Sequence, residues 1–337
     1  MKAFQEHLNK WLLVYVVVAM ALGMALGYPN AAWTKANQSL VSNLTTLVVF
    51  FIVYPMMVNL KVESLVKAGK NIKGLSLAVV YNFVWAPLIG WVLAALFLRD
   101  PLLALGFLLV MVVPCSSMSI AYTGLAEGNI ELATVTVALS FVLAVFAVPL
   151  WMTLFASQYQ VVAPLRDMLV TVLTVLVAPM LLGYLTRLAL VRWLGEKKFQ
   201  KLQPFFPSLS LMAMYGIVFV IFFSKATMIV EKWQMVLMLL VPIALFYAIT
   251  LAVVTWLNRR LGLPYRDHMA IVFASTGKNN GTAIAIATLA FSPLAAIPAA
   301  TMPIFQILFL VSYLKMANWV HGYFETRRAA PVSGGTA

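Results

Sequence analysis

Ten apolar runs, each long enough to cross a lipid bilayer and each bounded by short polar loops, leave this chain few ways to fold. They cover 11–28, 39–60, 74–98, 102–126, 132–157, 167–190, 206–224, 235–257, 268–291 and 294–320. An α-helix needs about 20 apolar residues to cross the hydrocarbon core, where only helices and closed barrels satisfy their own backbone. The runs have helical length, so the expected fold is an all-α polytopic membrane protein with ten transmembrane helices. Composition agrees: 63% of the residues are hydrophobic and 10% charged, and the mean hydropathy of +0.96 lies far above that of soluble domains. No length remains for a soluble domain. The first run, Leu12 to Tyr28, lacks a small-residue cleavage site and reads as a span rather than a signal peptide. A single cysteine, Cys115, excludes an internal disulfide framework and a zinc cluster.

The charges set the orientation. An even number of spans puts both termini on one side, together with the loops 61–73, 191–205 and 258–267. That side holds 17 of the 23 Lys and Arg, Arg187 at its face included, the opposite loops hold 5 (Lys35, Arg99, Arg166, Lys225 and Lys232), and only Lys278 is left over. The positive-inside rule then expects both termini in the cytoplasm and the protein in the cell membrane. The net charge of +13 is accounted for by topology and by attraction to anionic lipid, so the bilayer rather than nucleic acid is the expected partner.

Two spans are interrupted, span 4 by "VPCSSMS" (Val113 to Ser119) and span 9 by "STGKNNG" (Ser275 to Gly281). Pro114 removes a backbone donor and disfavours helix at Val113, while Gly277 and Gly281 weaken the helix around Lys278, Asn279 and Asn280. Pro114 to Ser117 and Gly277 to Gly281 are therefore expected to be non-helical and in contact, since unwound backbone in a membrane needs protein or a water-filled cavity around it. Span 1 ends in "MALGY" (Met24 to Tyr28) and span 6 contains "MLLGY" (Met180 to Tyr184), at nearly the same offset as the two breaks. The similar offsets expect two halves of five helices, 1–160 and 161–337. Five is odd, so the second half enters the membrane inverted, and helices 4 and 9 cross, as in secondary transporters.

The segments "ALGMALGY" in span 1, "YNFVWAPLIGWVLAALFL" (Tyr81 to Leu98) in span 3, "VVPCSSMSIAYTGLAEGNIELATVTVALS" (Val112 to Ser140) and "TGKNNGTAIAIA" in span 9 together resemble the bile acid:sodium symporter family and its relatives, the arsenite efflux permeases. The resemblance covers nearly the whole chain and implies ten helices in two inverted repeats with crossed fourth and ninth helices. It also implies a solute site at the crossing, built from Asn82, Pro114, Cys115, Ser116, Ser117, Thr276, Gly277, Lys278, Asn279 and Asn280.

Departures from the two branches bear on coupling. In the symporter branch an acid shortly before a Gly-x-Gln-Asn group helps hold sodium; here Gly277-Lys278-Asn279-Asn280 fits that frame, but Ser275 stands where the acid would be. A lysine supplies a fixed positive charge and can also lose it, which makes proton coupling through Lys278 the alternative to sodium. The expected ion-coupling residues are Lys278, Ser275, Asn279, Ser119 and Thr123, with Na+ or H+ as the ion and no cofactor. A segment like "PCSSM" occurs in the arsenite permeases, where the thiol engages arsenic, and Cys115 is a soft ligand suited to that metalloid. Against it, Gly281 and Thr282 occupy the stretch where those permeases carry a glutamate. Gln306 in span 10 is a further candidate. The histidines His7, His268 and His321 lie at chain ends or in a loop, too dispersed for a metal centre or a catalytic base, so no enzyme is expected. The expected function is secondary active transport of a small organic anion or oxyanion, with arsenite efflux as the alternative and a channel or membrane sensor more remote.

Overall fold

Eighteen α-helices and one isolated antiparallel bridge make up the described part of the computed structural model, which comprises residues 2–59, 71–161, 165–231 and 233–325. The chain opens with α1 (Lys2–Lys10) and α2 (Leu12–Gly27), bent by 63° against each other. Then come α3 (Ala31–Ala36), α4 (Gln38–Val58), α5 (Ile72–Val80), a π turn at Tyr81–Trp85, and α6 (Ala86–Phe97). The first broken span follows as α7 (Pro101–Val112) and α8 (Met118–Leu125). Next are α9 (Ile130–Gln158), α10 (Leu165–Val172), a second π turn at Leu173–Val177, and α11 (Ala178–Leu194). The order continues with α12 (Glu196–Leu202), α13 (Phe205–Glu231) and α14 (Trp233–Arg260). The second broken span is α15 (Tyr265–Thr276) and α16 (Asn280–Ala290), and α17 (Ile297–Lys315) and α18 (Ala317–Glu325) close the described chain.

Seven helical stretches are long and apolar enough to cross a membrane, or eight if the bent α1–α2 pair is one span. The expected spans 102–126 and 268–291 fall outside that count because each is two short helices around a break. Two boundaries shift from expectation. The run 206–224 extends to Glu231, and the run 294–320 becomes α17 and α18, with Pro298 in the first turn of α17. The basic residues Lys61, Lys67 and Lys70 lie outside the described residues.

Side chains that accept backbone N–H groups set several helix starts. Asn71 accepts from the Gly74 N–H, Asn129 from Leu132, and Asp100 from both Leu102 and Leu103, with Pro101 in the first turn. The first π turn has a local cause as well. Pro87 has no N–H to offer the Phe83 carbonyl, and the Ala86 N–H bonds back to Tyr81 instead of Asn82. The Asn82 and Phe83 carbonyls are thereby freed, and the Trp151 indole donates to the second of them at 2.9 Å.

Packing divides the bundle. α13 lies along α2 and α4, and α11 lies along α4. At Gly23 and Gly27 of α2 a Cβ would sit 2.7 Å from the Phe219 carbonyl oxygen and 2.7 Å from the Phe223 Cα, so only glycine allows this approach. The middle of the molecule belongs to the broken spans: Leu103 to Val113 and His268 to Ala287 are buried throughout. These two stretches carry the site.

Candidate solute site at the crossed helix breaks

α7 stops at Val112 because Pro114 cannot continue its hydrogen bonding, and Val113 turns extended at ψ 157°. α15 stops at Thr276, with Gly277 at φ −79° and ψ 73°. The two extended pieces lie antiparallel, pairing Cys115 with Lys278. The Ser116 N–H donates to the Gly277 carbonyl at 2.7 Å, and the Asn279 N–H to the Pro114 carbonyl at 3.0 Å. Each break therefore satisfies the backbone groups of the other, which is what makes two unwound segments tolerable at this depth. The crossing lies where the sequence expects it, with one correction. The second break ends at Asn279, and Gly281 is helical, because the Asn279 side chain accepts from the Thr282 N–H at 3.1 Å and starts α16 at Asn280, ahead of Gly281.

Alternation along extended backbone sends neighbouring side chains to opposite sides. Cys115 and Lys278 run into the interior. Cys115 is fully buried, its N–H 3.2 Å and its sulfur 3.1 Å from Ser140 Oγ. Lys278 is fully buried, and its Nζ donates to the Asn82 carbonyl at 3.3 Å, to Asn82 Oδ1 at 3.1 Å and to the Met111 carbonyl at 2.9 Å. Met111 would ordinarily bond the Cys115 N–H, which has gone to Ser140. Both backbone acceptors are thus carbonyls that the breaks and the π turn have released. Three acceptors match the three N–H groups of an ammonium.

On the other side of the crossing lies a cavity of about 150 Å³. Ser116 and Ser117 from the first break line it, as do Asn279 from the second and Asn280 and Gly281 from the start of α16, and Lys278 contributes to its wall. Gln5 and Asn9 of α1, Ser210 of α13 and Gln306 of α17 also line it. Among the described residues, no aspartate or glutamate lines it. Asn280 Nδ2 donates to Gln306 Oε1 at 3.1 Å, and Tyr247 donates to the same oxygen at 3.2 Å. With its amide nitrogen so held, Asn280 leaves Oδ1 buried without a partner, and Ser210 Oγ is likewise buried and unpartnered. α8 and α16 both begin at the crossing and bring the positive ends of their dipoles to it.

The other candidates lie behind the cavity wall. Asn82, Pro114, Cys115, Ser119, Thr123, Ser275, Thr276 and Gly277 form the crossing and its support and do not line the cavity. The hydroxyls of Ser275, Thr276 and Thr123 donate to the carbonyls of Ile271, Val272 and Ser119, four residues back in their own helices. Ser119 Oγ donates to the Gly277 carbonyl at 3.3 Å. Sequence reasoning missed Ser140, Ser210, Gln5 and Asn9. Ser210 is a small polar residue among apolar neighbours of a long helix, the signal that would have found it.

Residues 46–232 match the sodium bile acid symporter family. Arsenical-resistance protein Acr3 of Corynebacterium glutamicum is 24% identical over 338 residues, covering 94% of this chain and 90% of that protein. Arsenical-resistance protein Acr3 of Alkaliphilus metalliredigens is 24% identical over 255 residues, covering 72% and 71%. The uncharacterized sodium-dependent transporter YocS of Bacillus subtilis is 23% identical over 296 residues, covering 88% and 87%. The chain belongs to the sodium bile acid symporter family and is an integral membrane transporter.

Proposed function

We propose that this protein is a secondary active transporter that carries a small, hydroxyl-bearing organic anion or oxyanion through the cavity at the crossing, by alternating access. The observation that carries the reading is that two residues lining one cavity, Ser210 and Asn280, each hold a buried polar atom, Oγ and Oδ1, without a hydrogen-bond partner. A buried polar atom without a partner costs about 1–3 kcal/mol, and a solute that supplies both partners removes that penalty. Ser210, Ser116 and Ser117 offer hydroxyls to an acceptor such as a carboxylate, while Asn280 Oδ1 requires an O–H or N–H from the solute. Two helix N-termini, Lys278 in the wall and the lack of acids among the described lining residues suit a negative charge.

In this reading the chain crosses the membrane ten times in two inverted five-helix halves, with both termini in the cytoplasm of a cell whose plasma membrane holds it. The α1 residues Gln5 and Asn9 that line the cavity then lie toward the cytoplasmic side. Lys278 takes the place of a coupling sodium ion, and a proton gradient drives the solute, the ammonium form favouring the anion as pH falls. In proteoliposomes free of sodium, a hydroxylated small carboxylate should accumulate under an imposed pH gradient, and its unhydroxylated analogue should move more slowly. An absolute sodium requirement overturns the coupling, and no flux of any small anion overturns the function.

The relatives named for arsenical resistance favour a second reading, with arsenite, itself a small hydroxylated solute, as cargo. Cys115 would be its soft ligand. The thiol faces Ser140 rather than the cavity, so this reading requires it to turn during transport. Loss of arsenite flux in Cys115→Ala, with organic-anion flux retained, selects it.

A further inference from the structure

We infer that the groove between α14, α17 and α18 is a binding site for one anionic phospholipid, with an acyl chain in the groove and the phosphate on Arg259 and Arg260. The groove shares no lining residue with the cavity at the crossing.

The groove exists because α14 turns small residues outward. Ala248 and Ala252 are exposed and one turn apart, and Phe309, Tyr313 and Met316 of α17 line the same space. Its volume is about 410 Å³, and among the described residues its lining carries no charge. From Ala248 to Trp256 the lining follows α14 for about 12 Å, at 1.5 Å per residue. α14 is long and apolar enough to cross the membrane, so an exposed apolar groove along it meets acyl chains.

One end of the groove is basic. Arg259 and Arg260 follow the lining residues Thr255 and Trp256 by one turn, on the same face of α14. Arg259 Cζ lies 3.7 Å from the centre of the Tyr323 ring, and Arg260 Cζ lies 5.7 Å from that of Trp256; both rings line the groove. A ring engages the face of a guanidinium and a phosphate engages its N–H edge, so the two contacts are compatible. Trp319 and Tyr323 of α18 stack at 5.5 Å and complete this end, as amphipathic rings do at headgroup level. An apolar channel that ends at two cations has the polarity of an anionic phospholipid, whereas a zwitterionic one would bring its own cation to the arginines. α18 also reaches the second broken span: Phe324 stacks on His268 in the first turn of α15, with ring centres 4.5 Å apart. A lipid held against α18 therefore braces the start of α15.

The test measures thermal unfolding of the full chain in dodecyl maltoside micelles doped with dioleoyl phosphatidylglycerol or with dioleoyl phosphatidylcholine. Wild type should gain about 2–4 °C, saturably, with phosphatidylglycerol and not with phosphatidylcholine. Soluble glycerol phosphate, which has the headgroup charge without the chains, should give no shift. Arg259→Gln combined with Arg260→Gln should remove the phosphatidylglycerol shift. Ala252→Phe, at an exposed position, fills the groove while keeping both arginines and should remove it too; this variant decides the matter if the arginine variant does not fold. No shift in wild type overturns the inference, as does an equal shift with phosphatidylcholine or with glycerol phosphate. A phosphatidylglycerol shift that survives in either variant overturns it as well.

Discussion

Cys115 and Lys278 face each other across the two helix breaks as an antiparallel pair, the one place among the described residues where extended backbone pairs with extended backbone. Both side chains run inward, the thiol to Ser140 and the ammonium to Asn82 and Met111. The breaks are therefore held from two sides, by each other's backbone and by side chains anchored in neighbouring helices. Gly277 is the tightest point of the crossing. A Cβ there would collide with Ser119 Oγ and stand 2.7 Å from the Phe273 carbonyl. Gly277→Ala should destabilise the protein by about 1–3 kcal/mol through overpacking, and Ser119→Ala should recover part of the loss. Thermal unfolding of the two variants checks this; an unshifted melting temperature in Gly277→Ala refutes the close approach.

Gln306 orients the cavity's free acceptor. Its Oε1 takes hydrogen bonds from Asn280 Nδ2 and from Tyr247. Gln306→Leu should let the Asn280 amide turn, raising the apparent KM for the transported solute about 5–10-fold, the equivalent of one net hydrogen bond. An unchanged KM would remove Asn280 from the solute site.

Asp267 ties three helix starts together. Its two oxygens accept from Asn71 Nδ2 at 2.7 Å and from Asn129 Nδ2 at 2.8 Å, and those asparagines cap α5 and α9 with their own Oδ1 atoms. Asp267→Ala should cost about 2–3 kcal/mol, because two charge-assisted bonds are lost and both caps loosen. Asp267→Asn should fall between it and wild type in thermal unfolding. Equal stability of the alanine variant would show that the caps hold without the carboxylate.

Orientation is open to chemical labelling. In a Cys115→Ser background, a cysteine at Lys35 should react with a membrane-impermeant maleimide on intact cells, and one at Lys197 only after permeabilisation. Reaction of both from the outside would refute the ten-span topology.

The sequence by itself determined that the chain is helical and lies in a membrane, because length and apolarity are local properties and a bilayer permits few alternatives. It also located both breaks, since Pro114 lacks a donor and Gly277 weakens a helix wherever they occur. It singled out Lys278 as an intramembrane charge, although not what holds it. The tertiary structure alone decided that Lys278 reaches Asn82 and Met111, that Cys115 turns to Ser140, and that the Ser275 hydroxyl closes on Ile271. It also decided that Asn280 and Ser210, far apart in sequence, line one cavity and each hold an unpartnered polar atom. The physical reason is that a polar group's role in a membrane depends on which partner reaches it first. Those partners come from helices far apart in sequence, whose approach is set by packing at sites such as Gly23 and Gly27, where only the absence of a side chain lets two backbones meet.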